Sequence, residues 1–151
     1  MSLSSIGLTI GLVLITTVAA FLIYYLVWGI VPGASVMSVT EPPIQANGLD
    51  DKQAKFMFFY TTWCPWSKKA QQPWASLKEV HKNTPKTYGG TTVLFEEVNA
   101  ENEKGKAALY GIKGYPTFKL ETKDKVYEML GKPSVASFRA FLITVLGKES
   151  A

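Results

Sequence analysis

The sequence holds one cysteine, Cys64, and one histidine, His81, in 151 residues. A single cysteine excludes an intrachain disulfide framework, and with it the stapled mini-proteins that depend on one. One histidine and one cysteine make no cluster for zinc. His81, near a helix end beside Lys82, reads as a solvated helix-terminal residue. Charge is absent from one end of the chain. Residues 1–40 contain no Asp, Glu, Lys, Arg or His, so all 16 Lys and Arg and all 12 Asp and Glu fall from Glu41 onward. The net charge of +4 therefore belongs to the C-terminal part, where lysines are interleaved with glutamates. No basic run is present to track a phosphate backbone, which argues against a nucleic-acid partner. Internal repeats and low-complexity tracts are also missing.

What fills the charge-free end is hydrophobic. Residues 6–31 are uncharged and mostly apolar. At about 1.5 Å rise per residue, a helix of that length is roughly 39 Å, enough to cross a ~30 Å hydrocarbon core. Tyr24, Tyr25 and Trp28 gather near its end, where amphipathic rings favour the headgroup level. A cleaved signal peptide has a shorter apolar region behind a positively charged start, and MSLSS carries no cation. Residues 1–31 are therefore read as a transmembrane anchor, with the lipid bilayer as a partner. The first lysine beyond it is Lys52, so the positive-inside rule has nothing to act on and the side of the membrane is not specified. Gly7 and Gly11 have the spacing of a helix-pairing face, while Thr9, Thr16 and Thr17 can bond their own helix backbone. Residues 32–50, rich in proline, glycine and small polar side chains, form a linker. Within it VMSVT can add a short edge strand.

Residues 51–148 read as one α/β domain. Lys55–Thr61 is an aromatic run suited to a strand buried on both faces. A helix is expected from Pro65 to His81 with a break at Pro73, then a strand over Thr91–Val98 and a helix from Glu101 to Tyr110 that stops at Gly111. Thr117–Leu120 and Lys125–Leu130 suit a hairpin. Ser134 can cap a last helix whose Val135, Phe138, Phe141, Leu142 and Val145 recur at helical spacing. This order gives a central mixed sheet with helices on both faces.

Two motifs carry a resemblance. Phe59-Tyr60-x-x-Trp63-Cys64-x-x-Ser67-Lys68 and Tyr110-Gly-Ile-Lys-Gly-Tyr115-Pro116-Thr-Phe118 resemble the thioredoxin fold over roughly residues 50–147, and the second is most similar to domains of protein disulfide isomerases. The Cys-Pro-aromatic pair is also similar to glutaredoxins, but those place a valine before the proline where this chain has Tyr115. The resemblance implies that Cys64 starts a helix as a nucleophile, its thiolate favoured by unpaired N–H groups and the helix dipole, with Lys68 and Lys69 adding positive potential. It implies a cis Tyr115–Pro116 bond facing the cysteine. Trp63, Trp66, Tyr115 and Pro116 then form an apolar rim that binds a client peptide, or else only cover the end of the core. Cys64 is read as an accessible thiol rather than an inert buried one.

The same resemblance exposes what is missing. Ser67 stands where dithiol enzymes carry the second cysteine, the one that resolves a mixed disulfide. Phe58 stands where the family has a buried acid, five residues before the tryptophan, and Pro73 falls one position beyond the family's helix-kink proline. A dithiol oxidoreductase is thereby excluded. Two readings are left. In one, a membrane-anchored protein with a Cys-x-x-Ser site forms mixed disulfides with client proteins or glutathione, with Cys64 and Ser67 as catalytic pair and no cofactor or metal. In the other, the fold is kept as a binding or structural module, for example a membrane-associated component of a large DNA virus particle.

Overall fold

The computed structural model describes residues 13–20, 22–23, 37–44 and 46–150, which fall into two units, Met1–Ala34 and Ser35–Ala151. In the first unit, residues 13–20, 22 and 23 are helical. Val13, Leu14, Ile15, Val18, Leu22 and Ile23 are each more than half exposed. Thr16 Oγ1 donates to Val13 O at 2.9 Å, and Thr17 Oγ1 to Val13 O and Leu14 O at 3.0 and 2.9 Å. These hydroxyls bond their own helix, as expected of them there. Among the described residues no helix is long and apolar enough to cross a membrane. Most of the expected span, with Gly7, Thr9, Gly11, Tyr24, Tyr25 and Trp28, lies outside the described residues.

Among its described residues the second unit is built on seven strands: β1 (Met37–Thr40), β2 (Gln53–Tyr60), β3 (Thr87–Tyr88), β4 (Thr91–Asn99), β5 (Thr117–Glu121), β6 (Val126–Met129) and β7 (Glu149–Ser150). Its helices are α1 (Pro65–Asn83), α2 (Lys104–Leu109) and α3 (Val135–Leu146). The strands form one sheet in the order β1-β6-β5-β2-β4-β3-β7. Central β2 runs parallel to β4 and antiparallel to β5, so the sheet is mixed, as the order of elements implied. The VMSVT stretch supplies β1, which closes the open edge of β6 with Met37 opposite Met129 and Thr40 opposite Val126.

Alternation along β2 sorts its side chains onto two cores. Ala54, Phe56 and Phe58 join Trp74 and Leu77 of α1 and Phe138, Phe141 and Leu142 of α3 on one face. Met57 and Phe59 meet Val98, Ala107 and Tyr110 on the other, beneath α2. The first core is largely aromatic: the rings of Phe56 and Trp74 lie 5.1 Å apart, and Phe58 stacks on Phe118 at 4.9 Å. Such pairs add about 0.5–1.5 kcal/mol each beyond the area they bury. The Trp74 indole N–H donates to Glu97 Oε1 at 2.9 Å, so its one polar atom is satisfied.

Each local difference from the sequence reading has a physical cause. No break occurs at Pro73, which lies inside a continuous α1. A mid-helix proline costs about 3 kcal/mol, but Trp74 and Leu77, both essentially fully buried, hold the following turn against the sheet, and a buried Leu alone recovers about 1.5–3 kcal/mol. Helix α2 is shorter than expected because Asn99 captures the preceding turn. Its side chain accepts from Glu101 N–H at 3.0 Å, and its carbonyl from Asn102 and Glu103 N–H at 3.0 and 2.8 Å. The cap on α3 is as expected, a reciprocal pair between Ser134 and Ser137. His81 is not solvated as expected. Half-buried, it lies 2.8 Å from Leu77 O through Nδ1 and 3.1 Å from the Tyr88 hydroxyl through Nε2, with its ring stacked on Tyr88. Tyr88 is fully buried, and that burial, reinforced by Glu149, pushes its phenol up to about 12.

Strand β7 is fastened by ions as well as by its ladder to β3. Arg139 on α3 grips Glu149 with Nε and Nη2, each at 2.9 Å, and Lys86 pairs with the same carboxylate. The Arg139 hydrogen bonds are the largest cause of a Glu149 pKa pulled down to about 2. A carboxyl depressed in the fold stabilises it above the unfolded value, and that contribution is lost as pH falls from the ordinary carboxylate range to about 2. The protection of the Gly89 amide, which donates to Lys148 O beside β7 at 2.9 Å, should fall over that window in hydrogen-exchange measurements. Glu149→Gln should abolish the trend, and protection constant down to pH ~2 would contradict the assignment.

Candidate functional site

Strand β2 ends at Tyr60, and a short loop carries the chain to Cys64, the N-cap of α1. Cys64 is extended (φ −76°, ψ 119°) and is followed by Pro65 in the first turn. Proline loses nothing there, because the N–H groups of a first turn have no intrahelical partner. The loop is pinned from the far side of the crossover. Ala100 N–H donates to Tyr60 O at 2.9 Å, and Thr62 N–H donates to Glu101 Oε2 at 2.6 Å. Hydrogen bonds from Thr62, side chain first and backbone second, hold the Glu101 carboxyl below the usual carboxylate range. Sequence reasoning did not single out Glu101. In the sequence it reads only as the first residue of a helix, and only the parallel pairing of β2 with β4 brings it to the cysteine loop.

The first turn of α1 favours the cysteine thiolate. The backbone N–H of Ser67 is the largest influence holding the Cys64 thiol below its ordinary pKa, with burial opposing and the Ser67 hydroxyl and Trp66 N–H adding to the lowering. Ser67 is fully buried, and its Oγ accepts from Thr61 N–H at 3.4 Å. Its own proton is then left to donate to sulfur. The lysines act otherwise than expected. They are not among the causes of the lowered pKa, and Lys69 Nζ instead lies 4.7 Å above the Trp66 ring. Hydrogen bonds to the thiolate and oriented peptide dipoles therefore favour the anion here, more than side-chain cations do.

Across from the helix start, Cys64 Sγ donates to Tyr115 O at 3.5 Å, and the Tyr115–Pro116 bond is cis. Cys64, Ser67, Tyr115 and Pro116 are thus brought together. Trp63 and Trp66 flank the cysteine in sequence and are each 66% exposed. They form an exposed rim and contribute nothing to the cover of the core. Tyr115 is half-buried against the Met57–Phe59 core. Trp66, Lys69, Tyr115, Pro116, Lys132 and Pro133 line a groove of about 390 Å³. The expectation of an open thiol needs correction. Cys64 is only 6% exposed, because its sulfur is turned toward the Tyr115 carbonyl. An attacking partner must therefore displace that contact. Phe58, in the place of the family acid, is 1% exposed and is walled by Tyr60, Trp74 and Phe118 at 4.9–5.5 Å. No proton relay can run through that position.

Residues 38–144 match the family model described as Thioredoxin. Protein disulfide-isomerase A6 of mouse and of human are 31% and 30% identical to the chain over 88 residues, which is 58% of this chain and 19% of each relative. The matched stretch thus spans about a fifth of those curated proteins. Among solved structures, human ERp44 superposes with a TM-score of 0.53 at 22% identity, covering 66% of this chain and 30% of that one. The first thioredoxin domain of mouse protein disulfide-isomerase A4 gives 0.51 at 21% identity, covering 63% and 64%. At these identities the superpositions bear on fold alone.

Two substitutions separate the influences on sulfur. Ser67→Ala removes one donor to the thiolate, so the pH profile of Cys64 alkylation by iodoacetamide should move upward and the rate near neutrality should fall several-fold. Glu101→Ala frees the loop without touching the sulfur. It should broaden Cys64 reactivity and lower protection of the Thr62 amide. A profile unchanged in Ser67→Ala would mean that the hydroxyl does not serve the thiol.

Proposed function

Because the chain belongs to the thioredoxin family, we propose that it is a membrane-anchored, single-thiol member that captures client proteins, or glutathione, as mixed disulfides on Cys64. The observation that carries this reading is the sulfur's place: Cys64 is the N-cap of α1, and its Sγ faces the Tyr115 carbonyl of a cis Tyr115–Pro116 bond. In the exchange, the Cys64 thiolate attacks one sulfur of a partner disulfide. That S–S bond breaks as a new one forms to Cys64, and the other sulfur leaves as a thiolate and takes up a proton. Ser67 donates to the attacking anion and has no sulfur with which to expel the adduct. Release then needs an outside thiol. The charge-free run of residues 6–31 is the proposed anchor, holding the domain near a bilayer through a short linker.

A second reading is favoured by two observations: the 6% exposure of Cys64 and the aromatic wall around Phe58. In it the fold is a platform whose chemistry is lost, an architectural or client-holding part of a membrane, that of a large DNA virus particle included.

Intact-mass measurement distinguishes the two. The full chain in detergent, treated with glutathione disulfide at neutral pH, should gain one glutathione on Cys64 and none in Cys64→Ala. The adduct should persist in the wild type and decay faster in Ser67→Cys, where a resolving thiol is restored. Turnover in an insulin-reduction assay should stay near background for the wild type. Absence of any adduct, with partner capture unchanged in Cys64→Ala, assigns the chain to the platform reading.

A further inference from the structure

The groove beside the thiol carries charge of one sign. Its cations are Lys69, one turn into α1 from Trp66, and Lys132, in the turn between β6 and α3, and no acidic residue lines it. Among the described residues neither lysine forms an ion pair, whereas Lys55, Lys78, Lys86, Lys106, Lys119 and Lys123 all do. Both are exposed. Lys69 is also not a free rotor: its ammonium is held 4.7 Å over the Trp66 ring, an arrangement worth about 0.5–1 kcal/mol at an exposed site. Of the other walls, Pro116 and Pro133 lack backbone N–H groups, while Tyr115 and Gly131 offer only neutral polar groups, so the two ammonium groups are the only charges lining it. Glu128, which lines the adjoining pocket that shares Tyr115 and Pro116, is engaged by Lys119 at 2.9 Å. The indole, the proline rings and two unpaired cations therefore share one concave surface next to Cys64.

We propose that this groove binds an extended client segment with Asp or Glu beside apolar residues, the acids pairing with Lys69 and Lys132 and the apolar side chains resting on Trp66 and Pro133. The inference deepens the capture reading by naming the class of client, and it rests on that reading only for its biological use. The cations are exposed, so the attraction is screened by salt and sets selectivity more than tightness.

The test uses the full chain carrying Cys64→Ala, in neutral detergent, with short fluorescent peptides that contain no cysteine. One peptide has Asp and Glu around a central apolar pair, one has Asn and Gln at those positions, and one has Lys. Fluorescence anisotropy should show the acidic peptide binding, the amide version about tenfold weaker, and the basic version not at all, with the preference shrinking at high salt. The double substitution Lys69→Glu, Lys132→Glu should invert the order of acidic and basic peptides, while Lys82→Glu, Lys104→Glu, remote from the groove, should not. Equal binding of acidic and amide peptides, or an order unmoved by the Lys69/Lys132 reversal, overturns the proposal. Loss of peptide binding with rising protein concentration assigns the groove to a second copy. Tryptophan quenching by a headgroup quencher in phosphatidylserine nanodiscs that is reduced in Trp66→Phe, and is unrelieved by acidic peptide, assigns it to lipid. Each of those overturns it too. Since these peptides carry no sulfur, their failure leaves the Cys64 exchange reading standing, and failure of the glutathione adduct leaves this one.

Discussion

The position of one indole governs the rest of the site. Trp74 lies 5.1 Å from Phe56, 5.5 Å from Phe58 and 5.9 Å from Phe138, and its N–H is tied to Glu97 on the parallel neighbour of the central strand. That wedge sets where α1 lies on the sheet and carries the helix through Pro73. It thereby sets where the first turn of α1 begins. The N–H groups of that turn have no intrahelical acceptor. With the helix body fixed by the core, they are held at Cys64 whether or not a ligand is present. A thiol at such a spot is acidified by geometry, without help from a surface lysine.

The same aromatic core limits what the thiol can do. A buried carboxylate in place of Phe58 would have to sit among Tyr60, Trp74 and Phe118, where an unpaired charge is costly to hold. The structure fills the position with a ring and gives up proton delivery from beneath. Ser67, also fully buried, donates to sulfur but cannot form a bond to it. What is left favours the thiolate and the first half of exchange. On the proposed reading, the exposed tryptophans and the groove beside them hold a partner more than they release one.

Electrostatics divide by location. The Lys86–Glu149–Arg139 cluster knits the short terminal strand to α3, and Lys119–Glu128 ties β5 to β6. Those pairs are structural. Lys69 and Lys132 stand apart from them, on a groove next to the cysteine. Glu101, by contrast, is spent on the backbone of the loop that carries Cys64.

Much of this was legible in the chain. The aromatic run along residues 55–61, the Ser134 cap, the turn between β5 and β6 and the two motifs around Cys64 and Pro116 are local patterns, and each fixes local structure by sterics and hydrogen bonding within a few residues. The absence of a second sulfur likewise needs no coordinates. Strands β3 and β7 are two residues each, too short to carry a period, and they form only because the sheet edge is already in place. The persistence of α1 through Pro73, the packing of His81 on Tyr88, the 6% exposure of Cys64 and the grip of Glu101 on Thr62 all rest on partners 7 to 64 positions away in the chain. Residue type fixed which atoms could react. Only the folded sheet decided which of them touch, because contact energies between distant segments exist once the strands have paired and not before.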